Sequence, residues 1–135
     1  MNVHHIGYLC KNIGRAKRSF ETLGYRAETE TVRDDIRKID ICFLIKDGYR
    51  IELISPAAED SVVSGLIRKI GNSPYHICYV SDDFEADIET LKQNGYIMID
   101  RPTPAPALGG RRVVFFIHMH AGMIELLDGN GETEL

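Results

Sequence analysis

Two stretches of this chain nearly repeat: "VHHIGYLC" close to the start and "PYHICYVS" past the middle. Both contain His-Ile-x-Tyr, led by His5 and His76. The same offset of 71 places Ile77 on Ile6, Tyr79 on Tyr8, Gly95 on Gly24 and Tyr96 on Tyr25. Further along the offset becomes 73, which places Phe116 on Phe43, Ile124 on Ile51, Glu125 on Glu52 and Leu126 on Leu53. An internal repeat constrains a chain more than its composition does, because one supersecondary unit must then be built twice. The two extra residues of the second copy are assigned to "RPTPAPALGGRR", where Pro and Gly mark irregular backbone.

Each copy reads alike. An alternating strand comes first, over residues 3–9 and 75–80. A helix follows, with Ile13, Ala16, Phe20 and Leu23 at helical spacing and Gly24 as its stop. In the second copy Phe84, Ile88 and Leu91 recur, Asp82 and Glu85 are spaced as a capping box, and Gly95 ends the helix. "IDICFLI" and "YRIELI" then flank an Asp47-Gly48 hairpin turn, and "RVVFFIH" and "MIELL" flank "HAG". The order β-α-β-β-β, twice, predicts an α+β domain of two βαβββ modules with eight strands. The expected layout is one domain over 1–135. Module 1 covers about 3–56 and a linker helix about 57–72, with Val63, Ile67 and Ile70 on one face. Module 2 covers about 73–128, and a loose tail spans 129–135.

Composition narrows the function. With a net charge of −4 the chain lacks the basic footprint of a general nucleic-acid binder. No apolar run approaches a membrane span, and the N-terminus carries no signal-peptide pattern. Cys10, Cys42 and Cys78 are odd in number and sit in apolar runs, as reduced core thiols do, so a cytoplasmic location is expected.

Side chains alternate across a strand. Ile6 and Tyr8 therefore face the helix with His4, and His5 faces the other way. In "RIELI", Ile51 and Leu53 face the helix and Glu52 points across; in "MIELL", Ile124 and Leu126 do so and Glu125 points across. The four repeated polar residues, His5, Glu52, His76 and Glu125, thus share the face away from the helices. Burying two imidazoles and two carboxylates calls for compensating positive charge, and a divalent cation supplies it. Nitrogen and oxygen donors without thiolate suit Ni²⁺, Co²⁺, Mn²⁺, Fe²⁺ or Zn²⁺.

On these residues the chain resembles the vicinal oxygen chelate (glyoxalase/bleomycin resistance/dioxygenase) superfamily over about residues 3–128. The resemblance implies an open, cup-shaped sheet around a metal, with His5, Glu52, His76 and Glu125 as ligands of one divalent ion, Ni²⁺ or Co²⁺ ahead of Zn²⁺. It implies a metal-dependent isomerase or lyase of glyoxalase I type, which moves a proton on a carbon next to a carbonyl. Glu125 would shuttle the proton and Glu52 would be the second carboxylate. The implied substrate is a small thiol-derived molecule, a hemithioacetal or an acyl-CoA, and a homodimer is the family expectation. Departures from glyoxalase I are visible. Leu9 stands where an arginine is common, Ser55 and Pro56 replace an asparagine, and "HMHAG" replaces an Asp-Pro-x-Gly turn. Conversely, "ELISP", "EDSVVSGLIRK", "YHIC" and "LGGRRVVFFIH" resemble methylmalonyl-CoA epimerases, although Tyr75 takes the place of a histidine usual there. An epimerase and a non-catalytic small-molecule binder are the alternatives.

Other groups carry weaker signals. His118 and His120 read as a solvated hairpin end, with His118 as a possible substrate contact. Cys78 shares the metal face as a small filler. Lys11, Arg15 and Arg18 form a helical stripe. Arg37, Lys38, Arg111 and Arg112 are candidates to meet an anionic carrier, and residues 101–110 are a candidate lid.

Overall fold

A computed structural model describes residues 1–130. Among these residues are nine strands, in an open, unclosed sheet, and three α-helices. No helix among the described residues is long and apolar enough to cross a membrane. Contacts divide the chain into two compact units, His5–Tyr75 and, separately, Met1–His4 with the residues from His76 onward.

In the first unit the Ile6–Leu9 part of β1 (Asn2–Leu9) runs parallel to β5 (Tyr49–Pro56), with Gly7 opposite Glu52. Next come the antiparallel β4 (Ile39–Lys46) and the short edge strand β2 (Arg26–Ala27). Asp47 and Gly48 close the β4–β5 hairpin with φ of 52° and 81°, the left-handed pair that a two-residue turn requires. Helix α1 (Ile13–Thr22) is capped by Asn12, whose side chain accepts from the Arg15 amide at 2.9 Å. It lays Ile13, Ala16 and Phe20 against Cys42, Leu44, Ile51 and Leu53, and Phe20 meets Tyr8 and Tyr25 edge-on. Leu23 does not join this face. It is the C-cap, 64% exposed, because Gly24 at φ 100° turns the chain away one residue later. Helix α2 (Ser64–Ile70) buries Val63 and Ile67, but Ile70 at its last turn is exposed.

The ninth strand, one more than the repeat predicts, is β3 (Val32–Asp34). It arises because the edge partner of β4 is split: β2 pairs with Leu44 and Ile45, and β3 with Ile39 to Ile41. In the second unit the matching edge strand β7 (Ile97–Pro104) stays whole and shifts register between Ile99 and Thr103. The edge is thus interrupted in both copies, by a split in one and a register shift in the other.

The rest of the second unit orders β6 (Ser73–Ser81), β9 (Gly122–Asp128) and β8 (Arg112–His118) before β7. Helix α3 (Phe84–Gln93) packs Phe84, Ile88 and Leu91 on Val114, Phe116, Ile124 and Leu126. Its cap is Asp83, which accepts from the Ala86 amide, and not Asp82. Glu85 is therefore no capping-box partner. It binds Arg112 (Nη2–Oε1 2.7 Å), which also reaches Asp128 at 2.9 Å and lies 4.7 Å over the Phe84 ring. Burial pushes the Asp128 carboxyl up, but the Asn130 amide and Arg112 together outweigh it and hold the group below its usual range. Gly129 and Asn130 are fastened to Ser81 and Asp82, and the remainder of the expected loose tail lies outside the described residues.

Candidate functional site

Strand pairing decides which side chains can meet. In the first unit Glu52 lies opposite Gly7 on β1 and opposite Phe43 on β4. Paired residues of adjacent strands share a face, so Glu52 is on the face of His5, two residues before Gly7. His5 Nε2 lies 3.3 Å from Glu52 Oε1, with the two side chains 0% and 5% exposed. Phe43 stands edge-on to the imidazole, ring centroids 5.4 Å apart at 69°.

The second unit builds the same arrangement from other residues. Glu125 lies opposite Cys78 on β6 and Phe115 on β8. His76 Nε2 is 3.2 Å from Glu125 Oε1, again with side chains 0% and 5% exposed, and Phe115 is edge-on to His76 at 5.2 Å and 88°. The structure thus brings His5 to Glu52 and His76 to Glu125. The ring partners correct the sequence alignment: the counterpart of Phe43 is Phe115, at offset 72, and Phe116 points to the helix core. The extra residues of copy two are therefore shared out. One falls before β8, and the other is in the β8–β9 turn, where three residues replace the two of Asp47-Gly48.

A carboxylate and an imidazole held side by side away from water are poorly solvated, and both present lone pairs to a cation. Two such pairs supply oxygen and nitrogen donors suited to a divalent first-row metal. The donor chemistry fits the expected group. The Cys78 thiol is fully buried on the same face as Glu125, where copy one has Gly7.

Sequence reasoning passed over the neighbours of these pairs. Arg50 stands two residues before Glu52, hence on its face, and grips Glu28 with Nη2–Oε1 2.7 Å and Nε–Oε1 3.1 Å. At the offset of 73 its counterpart is Met123, and Ile99 stands where Glu28 does at 71. One copy thus carries an ion pair beside its glutamate, and the other carries apolar side chains. The period-two reading of "YRIEL" that selected Glu52 also selects Arg50.

Other sequence candidates find structural employment. His118 Nδ1 accepts from the amides of His120 and Ala121, and its Nε2 lies 3.2 Å from the Asn94 carbonyl, so it ties the β8–β9 turn to the end of α3. The proposed lid is pinned: Leu108 is 1% exposed, and the amides of Ala105 and Gly110 bind Arg111 O and Ala105 O. Arg37 pairs with Asp34 at 2.7 Å, Lys38 with Asp60, and Arg112 with Glu85 and Asp128. Arg111 is buried and donates to Leu108 O at 3.3 Å.

Known proteins resemble this chain in sequence and in fold. A family model described as Glyoxalase/Bleomycin resistance protein/Dioxygenase superfamily matches residues 4–115. The uncharacterised protein YqjC of Bacillus subtilis (strain 168) is 25% identical over 132 residues, 95% of this chain and 92% of the relative. An ethylmalonyl-CoA/methylmalonyl-CoA epimerase of Cereibacter sphaeroides is 28% identical over 78 residues, 57% of this chain and 58% of that enzyme. A Streptomyces coelicolor methylmalonyl-CoA epimerase variant, solved in complex with 2-nitronate-propionyl-CoA, superposes with a TM-score of 0.81 at 23% identity. That match covers 97% of this chain and 96% of the other. At that identity the likeness is one of fold.

Proposed function

Because the chain belongs to the glyoxalase/bleomycin resistance protein/dioxygenase superfamily, we propose that it is an epimerase-type enzyme acting on an acyl-CoA thioester. In this reading His5, Glu52, His76 and Glu125 hold one divalent cation, and the reaction moves a proton on the carbon next to the thioester carbonyl. The observation that carries it is the duplicated, buried His–Glu pair, 3.3 Å in one unit and 3.2 Å in the other.

The bound cation supplies electrophilic polarisation of the carbonyl, which makes the neighbouring C–H more acidic. The chain's own residues do the rest. A carboxylate beside the reacting carbon accepts the proton, and a second carboxylic acid returns one, so no net proton is gained or lost. Glu52 and Glu125, one from each copy, are the groups assigned to these tasks. Phe43 and Phe115, edge-on to the two imidazoles, limit the ring orientations open to His5 and His76 and exclude water from one flank of each.

The epimerase relatives and the epimerase-like stretches of sequence support a CoA thioester over the glutathione adduct. A lyase of glyoxalase I type remains the second reading, favoured by the two carboxylates. A homodimer is the family expectation and is tested by light scattering. The deciding experiment incubates metal-loaded protein with methylmalonyl-CoA in D₂O and follows the α-proton by NMR, alongside a methylglyoxal–glutathione assay. Exchange of the α-proton that is abolished by Glu52→Gln and by Glu125→Gln is expected. Turnover of the glutathione adduct alone favours the lyase. Protein that takes up no divalent ion and turns over neither substrate is a binding protein, and the enzymatic reading fails.

A further inference from the structure

Among the described residues, Arg33, Arg37, Lys38, Lys46, Arg50, Lys92 and Arg112 lie within ion-pair range of a carboxylate. Lys11, Arg15, Arg18, Arg26, Arg68, Lys69 and Arg101 are exposed, and among the described residues none of these has such a partner. Five of them, Lys11, Arg15, Arg18, Arg68 and Lys69, sit on or beside α1 and α2 in the first unit. Arg68 and Lys69 line an open groove of about 560 Å³ together with Gly65 and Leu66. The Lys11 amide donates to Asn72 Oδ1 at 2.8 Å, which ties the start of α1 to the residues just after α2.

For α1 the repeat shows that this charge is not a requirement of the fold. At offset 71 Lys11 falls on Asp82 and Arg18 on Glu89. Helix α3 has Glu85 and Asp87 in its first turn, as the helix dipole favours, whereas α1 has no acid there. One scaffold element therefore carries opposite charge in its two copies. The positive version concentrates cations that pair with no carboxylate among the described residues, in a chain whose net charge is −4. Such a cluster attracts an anion with several charges.

We propose that the groove beside α2 anchors the phosphate groups of the coenzyme A carrier, with Arg68 and Lys69 as direct contacts. The inference rests on the acyl-CoA reading of the site. It assigns to these residues the task that Arg37, Lys38 and Arg112, already paired, are not placed to perform. Guanidinium and ammonium groups beside a groove bind phosphate through charge-assisted hydrogen bonds, and the thioester end is left to the buried His–Glu pairs.

The test compares wild type with Arg68→Ala/Lys69→Ala by calorimetric titration with coenzyme A and with inorganic pyrophosphate. Kinetics on methylmalonyl-CoA and on its pantetheine thioester, which lacks the phosphates, complete it. Loss of two cationic contacts is expected to weaken coenzyme A binding about tenfold. KM for the CoA substrate should rise in step, with kcat unchanged and the pantetheine thioester unaffected. Wild-type protein that binds no coenzyme A, or a double variant that binds it as tightly as wild type, overturns the proposal. Turnover with affinity indifferent to the substitutions sinks this site alone. Binding that depends on Arg68 and Lys69 without any turnover upholds the site and sinks the epimerase reading.

Discussion

Glu125→Gln isolates the assumption on which the chemistry depends. The side chain is 5% exposed, 3.2 Å from His76 Nε2, and the amide keeps its volume while removing its charge. A cation that binds only the native state stabilises it by about 2.7 kcal/mol at a hundred times its dissociation constant. Unfolding entropy of about 2.1 cal/mol/K per residue gives about 0.28 kcal/mol/K for 135 residues, or about 3.5 °C per kcal/mol. Saturating metal should therefore raise the wild-type Tm by about 9 °C. If the lost carboxylate weakens binding about a hundredfold, on the order of what even outer partners of metal ligands can contribute, the residual stabilisation is about 0.4 kcal/mol. The shift then shrinks to between one and two degrees, roughly. Calorimetric melts of chelator-treated protein, with and without Co²⁺ or Ni²⁺, measure both values, and the repeat predicts a matching loss for Glu52→Gln. A wild-type Tm indifferent to every divalent ion, or a Glu125→Gln variant that keeps the full shift, refutes the reasoning.

Other outcomes follow from the packing. Phe116 is fully buried among Phe84, Ile88 and Leu126, so Phe116→Ala should cost about 3–5 kcal/mol in urea unfolding; a cost under about 1 would contradict the assigned core. A Cβ at Gly129 would stand 2.7 Å from the Ser81 carbonyl oxygen and 3.0 Å from Val80 Cγ1, so Gly129→Ala should lose about 1–3 kcal/mol, and an unchanged Tm would show that β6 yields there. Burial pushes the Cys10 thiol up to about 11, against the opposing effect of its hydrogen bond to the Ile54 carbonyl. Its folded-state proton is held longer than in the unfolded chain, so this contribution to stability is complete below about pH 9 and is lost as pH rises toward 11. Iodoacetamide at about pH 8 should label Cys10 only in denaturant, and fast labelling of native protein would contradict the burial.

The period-two alternation of "HHIGY", "RIELI" and "MIELL" determines that His5, Glu52 and Glu125 turn away from the helices, because a strand cannot place neighbouring residues on one face. The recurrence of that pattern likewise determines that His76 has the surroundings of His5. What periodicity cannot carry is register. Phe115 and Phe116 are adjacent, identical and opposite in direction, and only the three-residue turn after His118 decides which of them faces His76. Leu23 and Ile70 fit the helical stripe in sequence but lie where α1 and α2 end, so tertiary position exposes them. Charge was the least legible property. Arg37, Lys38 and Arg112 look as available as Arg68 and Lys69 until the fold brings Asp34, Asp60, Glu85 and Asp128 to them. Local sequence sets which way a side chain points, because that is a matter of backbone geometry. Which groups it meets depends on loop lengths and strand pairing far along the chain, and those are settled only when the sheet forms.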